Sequence, residues 1–565
     1  LYDFRKGCIS ASAIARALIS AVIMLMCVEV KGELPKPEQE SLDQQRRFEE
    51  WQRQQNERFQ PDPDVFFDTP EFPSLDDDQL LDGTCFPIAK IQLVSAENKQ
   101  FRWLEKHLNS RLETDGCLDA KDINRLMAET QNDVISAGYV TTRLVAEAQD
   151  LNSGLLTFTL LPGYVEDIRF ADGAPRRATV WNALPIRSGD VLNLRHLEQG
   201  LENLKRVPSV AVNIDIEPGE QPGYSDLVIQ WQQQKPLRVT ETLDNSGSEN
   251  TGRYQSSVTL SYDPYWAFND LSYVTYVQSI VFAVGQLGSQ SFSAHYSVPY
   301  RYWLLSLNGG YSENFQTIKG ETGSYKYAGT SSNQSVKLER IMFRSGHQKV
   351  TASFSVKASQ SESFINDVEI DVQHRRRRKM ELALQHHWFL SKATLDASLI
   401  YKRGITALGA SEDPEVKAGY GVKNPQWLML DINYSQPFKF VKHNWVLGSR
   451  LQVQGNLTPL IPLDQMLLGS DYSVRGFDQG ISGESAAYLH NDLVFVVPKI
   501  SQQITLGFDA GTVFDHGAVL AGASLGFKGQ VLGVTYEASI SRPLLSPAGL
   551  EPESSIYAFQ LSKAF

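Results

Sequence analysis

Phe292-Ser293-Ala294-His295-Tyr296-Ser297-Val298-Pro299-Tyr300 changes character at every step. Along an extended chain Phe292, Ala294, Tyr296, Val298 and Tyr300 fall on one side, and Ser293, His295 and Ser297 on the other. The same alternation returns at Tyr254, Ser256, Val258, Leu260 and Tyr262, set against Gln255, Ser257, Thr259 and Ser261. It returns again at Leu532, Val534, Tyr536, Ala538 and Ile540, set against Gly533, Thr535, Glu537 and Ser539. An apolar face opposed by a small, polar one suits a barrel wall with lipid outside and water inside. A soluble β-sandwich would show the same period with its polarity inverted. The aromatic strand ends Tyr254, Tyr262 and Tyr300 favour the barrel. At roughly twenty residues per strand and loop, residues 237–565 predict a transmembrane antiparallel β-barrel of about sixteen strands.

The whole chain has 565 residues, room for two or three domains, and a net charge of -12. An acidic balance argues against a nucleic-acid binder. Mean hydropathy is negative, which excludes a bundle of membrane helices. One long apolar run, Ala17 to Val28, follows Arg5, Lys6 and Arg16 and precedes Val30-Lys31-Gly32. It reads as a secretory signal over residues 1–32, and the mature chain is expected to start near Glu33. Of four cysteines, Cys8 and Cys27 would leave with that signal. Cys85 and Cys117 remain, an even count in an exported chain, and are expected to form a disulfide.

Between signal and barrel the composition shifts three times. Residues 36–59 form a polar helix with Leu42, Phe48, Trp51 and Phe59 as its few apolar anchors. Such a helix stays solvated or lies in a wet channel. Residues 60–84, with Pro61, Pro63, Pro70, Pro73 and Asp76-Asp77-Asp78, read as an extended linker. Residues 85–163 then follow the order β-α-α-β-β, with a strand through Ile88, Ile91 and Val94. Asp119 caps the longer helix and Gly138 ends it. Residues 164–236 repeat that order, with helices expected near Ala178–Leu184 and Leu194–Lys205.

Two short segments in the barrel region carry the functional argument. In one, Phe508, Ala510 and Thr512 share a face, while Gly507, Asp509 and Gly511 share the other. Asp509 thus has an open notch on either side. In the other, Ser473-Val474-Arg475-Gly476-Phe477 is turn-like, with Arg475 placed as at a loop tip. A guanidinium in the notch could make paired, charge-assisted contacts that lysine reproduces poorly. On spacing alone, a surface Arg and an interior Asp that never meet is the reading to prefer, since both residue types are common and loops are many.

Val474-Arg475-Gly476-Phe477 resembles the VRGF/Y loop motif of the outer-membrane insertase and translocase superfamily. Phe508-Asp509-Ala510-Gly511 resembles its F-x-D-x-G strand motif. Within it the chain resembles the two-partner secretion transporters (TpsB), which export haemolysins, adhesins and contact-dependent inhibition toxins. Cys85-Phe86, Gly138-Tyr139-Val140-Thr141-Thr142-Arg143 and Leu161-Pro162-Gly163 resemble the first POTRA domain of that family. Leu192-Asn193, Glu198 to Leu204 and Pro222 to Leu227 resemble the second. Tyr557, Phe559, Leu561 and Phe565 share a face and resemble the assembly signal of outer-membrane barrels.

The resemblance implies a plug helix at 33–59, two periplasmic POTRA domains at 85–163 and 164–236, and a loop around 463–482 folded into the barrel. It implies that Arg475 pairs with Asp509. It implies a secreted TpsA-type exoprotein as partner, captured unfolded and passed outward without nucleotide, with outer-membrane lipid around a monomer. The family's usual Gly-Asp and Asn-Glu are here Gly483-Glu484 and Asn491-Asp492, which puts local contacts in question. An insertase that folds other barrels, or a passive porin, are the alternative readings.

Other motifs carry little. Gly522-Ala523-Ser524-Leu525-Gly526 spells a nucleophile elbow, but its flanks are strand, not strand-to-helix. His386 and His387 point to opposite faces and cannot chelate one ion. The run Arg375-Arg376-Arg377-Arg378-Lys379 would divide between lumen and membrane interface. No phosphate-binding glycine loop precedes a helix. An enzyme, a metal site and a cofactor are therefore not expected.

Overall fold

The computed structural model describes residues 36–60, 63–67, 85–97, 99–112, 117–174, 177, 179–280, 285–320, 323–497 and 502–565. The expected secretory signal lies outside them, as does most of the linker. Period-two alternation has become a closed antiparallel barrel, sealed where Ile556–Ala564 pairs with Leu237–Asp244. Seventeen strands stand in the barrel order; Val368–Glu369 is a two-residue extension of one hairpin, which leaves sixteen wall strands. Leu506, Phe508, Phe354 and Leu399 face outward, whereas Thr259, Thr275, Ser297 and Asp509 are buried inward. The wall is therefore apolar outside and polar inside, as the membrane requires. No described helix is long and apolar enough to cross a membrane.

The first α/β unit arranges Lys90–Ser95, Leu155–Leu161 and Arg143–Val145 as a three-stranded sheet, parallel then antiparallel. Helices Arg102–Ser110 and Ala120–Ser136 cover it. Asp119 caps the second helix: its carboxylate accepts from Asp122 N at 2.9 Å while its own N–H donates to Asp122 at 3.3 Å. Gly138, at φ +101°, ends it. Ile91, Phe101, Leu104, Val134 and Phe158 form the core. Val94, on the expected strand, points outward beside buried Leu93. Cys85 and Cys117 are joined as a disulfide with Cα atoms 5.4 Å apart.

The second unit repeats the sheet topology with Tyr164–Phe170, Tyr224–Gln233 and Val210–Pro218. Its helix is Leu194–Lys205. The other helix expected near 178–184 is absent from the described residues. One turn forms there, with Leu184 N donating to Val180 O at 2.9 Å, and Pro185 follows. Asn182 explains why it goes no further. Its amide donates to Pro299 O at 3.0 Å and accepts from Asn269 at 2.8 Å, and its carbonyl accepts from Arg301 N at 2.6 Å. These bonds to the barrel rim outweigh local helix propensity.

Helix Lys36–Phe59 runs inside the barrel. Arg58 donates to Ser562 Oγ at 2.6 Å, Gln60 meets His295 at 3.2 Å, and the Phe59 ring lies tilted against Tyr273 at 5.4 Å. Gly310 lies so close to Phe48 and Gln52 that a side chain there would collide with both. Its polar composition is thus matched by a polar wall, and Leu42 and Phe48 among its few apolar residues are buried.

Candidate functional site

The strand Gln502–Val513 lies between Ala486–Val497 and Ala518–Val531. Asp509 sits opposite His490 on one side and Gly522 on the other, fully buried on the inward face. Gly507 and Gly511 flank it, as expected from the alternation. A β-carbon on Gly507 would overlap the Arg475 guanidinium, and one on Gly511 would crowd Val474 at 2.9 Å. Both glycines are therefore absences that a neighbouring loop fills.

That loop leaves the barrel after His443–Asn456 and returns at Ala486–Val497. Short strands Met466–Leu468 and Ile481–Gly483 pair at its root. Leu468, Val474 and Phe477 pack with Ala486, Tyr488, Val513 and Leu520 of the wall, a buried apolar cluster inside a polar lumen. Gly476 takes φ +98° and lies against the backbone of Arg542 and Pro543, where only glycine fits.

The cluster delivers Arg475 to Asp509. Arg475 Nε donates to Asp509 Oδ2 at 2.7 Å and Nη2 to Oδ1 at 2.8 Å, two parallel charge-assisted bonds. The backbone N–H of Arg475 adds a third to Oδ2 at 3.1 Å. Of the two readings left open by spacing, the paired one is observed. The Phe508 side chain, part of the strand motif, faces outward, away from the pair.

Two further residues belong to the site: His490, which sequence reading missed, and Asp492, which it noted only as a departure from the family pattern. Asp492 stands 2.9 Å from Arg475 Nη2, and His490 lies 3.3 Å from both Asp492 and Asp509. Counting alternate residues from inward Tyr488 would have placed 490 and 492 on the same face. The substituted positions of the loop hold useful contacts. Glu484 accepts from Asn456 Nδ2 at 2.7 Å and from Leu460 N at 3.1 Å, fastening the loop root.

The basic run divides as alternation requires. Arg375 and Arg377 are buried inward, and Arg376 is exposed. Arg375 pairs with Glu415 at 2.6 Å, Arg377 with Asp413 at 3.0 Å and also with Asp464, and Lys379 with Asp464 at 2.6 Å. These cations tie two loops, one containing Asp464 next to the inserted hairpin, to the inner wall. The lumenal role was legible, but the acidic partners were not.

A second ionic site joins the α/β units to the barrel. Arg344, on the hairpin nearest the second unit, pairs with Glu198 at 3.2 Å and Glu202 at 2.7 Å. It also donates to Val65 O at 2.6 Å, and Glu202 accepts from Val65 N at 3.2 Å. Glu198 accepts from Phe67 N at 3.1 Å, and Phe66 meets Phe389 edge-on. Residues 63–67 are thereby clamped between barrel and domain, with Val65 in the domain core.

Comparison with known proteins adds relationship to this geometry. Residues 223–529 match the family described as haemolysin secretion/activation protein ShlB/FhaC/HecB. Residues 86–163 match a ShlB-type POTRA domain and 164–218 a second POTRA domain. The outer membrane transporter CdiB-2 of Burkholderia pseudomallei is 31% identical over 464 residues, covering 80% of this chain and 79% of that one. The hemolysin transporter protein HpmB of Proteus mirabilis is 26% identical, covering 73% and 74%. The structure of CdiB from Acinetobacter baumannii superposes with a TM-score of 0.82 at 24% identity, covering 94% of this chain and 100% of that one. That likeness speaks for the fold.

Proposed function

Because the chain belongs to the haemolysin secretion/activation family of two-partner secretion transporters, we propose that its Arg475 loop and its lumenal helix hold the export path shut between transport events. The protein is an outer-membrane transporter whose POTRA domains lie in the periplasm, and it secretes a partner exoprotein. The curated relatives carry haemolysin and CdiB names, and we take the client to be of haemolysin, adhesin or contact-dependent inhibition type. An unfolded client enters from the POTRA side, and its folding outside gives the passage direction. The protein acts as a monomer in lipid and catalyses no reaction. Residues 33–59 serve as plug and residues around 463–482 as inserted loop.

One observation carries this reading: the loop and the helix occupy the same lumen through which a client would pass. At least one must shift before an extended chain fits. Val474 and Gly511 touch, so Val474→Cys with Gly511→Cys would cross-link loop to wall. Export of the partner should stop under oxidising conditions and resume on reduction. Undiminished export through the cross-linked barrel would show that the loop does not gate the path.

A further inference from the structure

Beside the docked turn of the second POTRA domain lies a patch outside the lumen. Asn182 is buried against the barrel rim, but its neighbour Trp181 points away and is 59% exposed. Trp181 meets Phe268 edge-on at 6.0 Å and Tyr300 at 6.2 Å, both outward rings at the barrel's periplasmic end. Tyr265 and Trp266 extend the row, Trp266 being 61% exposed. Arg177 of the domain donates to Tyr262 Oη at 3.0 Å, and Arg301 stands over Tyr300 at 5.7 Å.

The loop that presents these rings is not loosely held. The buried Asp270 carboxylate accepts from the backbone N–H groups of Tyr265 at 3.1 Å, Trp266 at 3.1 Å and Phe268 at 3.0 Å. The N–H groups of all three ring-bearing residues are thus satisfied within the protein, so the rings can meet an apolar phase without stranding those donors there. Asn269 Nδ2 ties the same loop to Thr179 O at 2.9 Å. Domain and loop form one surface, continuous with the apolar outer wall. Indole and phenol rings edged by guanidinium groups match the boundary between acyl chains and phosphate headgroups.

We propose that the second POTRA domain has its own membrane contact, with Trp181 and Arg177 seated, beside Tyr265, Trp266 and Phe268, in the phospholipid leaflet that faces the periplasm. The domain is then held by lipid as well as by the barrel rim. Its orientation depends on the bilayer, a constraint that detergent would relax. This inference rests on the barrel's residence in the outer membrane.

The test uses the full-length protein in phosphatidylethanolamine–phosphatidylglycerol vesicles. A nitroxide is placed at one position at a time through Trp181→Cys, Trp103→Cys or Leu399→Cys; Cys85 and Cys117 stay oxidised. Leu399 faces outward on the wall, and Trp103 is an exposed ring of the first POTRA domain. Collision with oxygen, which concentrates in lipid, is compared with collision with a water-soluble nickel chelate. The label at 181 should favour oxygen severalfold over that at 103 and approach that at 399. A label at 181 as open to nickel as that at 103, with 399 shielded, overturns the inference. A nickel-accessible label at 399 would instead overturn the membrane placement of the barrel. Independently, Trp181→Phe should reduce quenching of tryptophan fluorescence by brominated phospholipid, and Trp103→Phe should not.

Discussion

Gly522 faces the carbonyl oxygen of Arg475 with no room between them for a β-carbon. The cross-strand neighbour of Asp509 is therefore shaped by the loop resting on it. Gly522→Ala should cost the inserted loop about 1–3 kcal/mol of overpacking and shift it from the wall. Gly526 serves as control, because its nearest neighbour to an added methyl is 3.5 Å away. We expect Gly522→Ala to impair export with a normally heat-modifiable barrel, and Gly526→Ala to do neither. Equal export by both variants would count against a fixed loop.

Arg475→Ala should lower export sharply while the barrel still assembles. Removing one member of a buried ion pair typically costs about 3–5 kcal/mol, since Asp509 is left without its partner. Arg475→Lys keeps the charge but loses the two parallel bonds, so its export should fall between wild type and alanine. Lysine matching arginine in a secretion assay would mean that charge alone suffices.

Removing residues 36–59 takes a helix out of the lumen. Single-channel conductance in planar bilayers should rise, because water and ions fill the vacated volume. Arg58→Ala alone, which loses the bond to Ser562, should raise the frequency of brief openings rather than their size. Unchanged currents after deletion would place the resistance elsewhere.

His196, half-buried on the POTRA helix, shares a hydrogen bond with Tyr302 of the barrel rim. Burial holds its pKa below the ordinary value of 6.5, with Asp190 acting in the opposite sense. A released imidazole takes up a proton before a docked one does. Docking is therefore unaffected well above pH 6.5 and weakens as pH falls through that value toward the lower docked pKa. Hydrogen exchange of the Leu194–Lys205 helix should speed up between pH 7.5 and 5.5 relative to His196→Asn. Identical pH dependence in both proteins would exclude the histidine as the cause.

The barrel was legible because lipid outside and water inside impose a period of two that residues such as Phe292 and Ser293 display directly. Asp509 was legible for a related reason: glycines at 507 and 511 on its own face announce a space. The partner in that space was not fixed by periodicity, and Arg475 came from resemblance to a family motif. Nothing local marks Glu198 and Glu202 as partners of Arg344, since alternation and helical spacing give a face but not what lies across it. The expected helix near 178–184 failed where tertiary hydrogen bonds from Asn182 to the rim overrode local propensity. His490 was within reach of the alternation argument and was overlooked, and Asp492 was noted as a departure from the family pattern without being placed on the face of Asp509.

Residues 63–67 are gripped by Arg344, Glu198 and Glu202 only a few positions after the lumenal helix ends at Phe59. A helix that slips out of the channel while that grip holds is on a short leash at the mouth it left. Its effective concentration there would be on the order of millimolar, far above that of a free peptide. Re-entry then needs no search through the periplasm, and the pore reseals by an intramolecular step once the client has cleared.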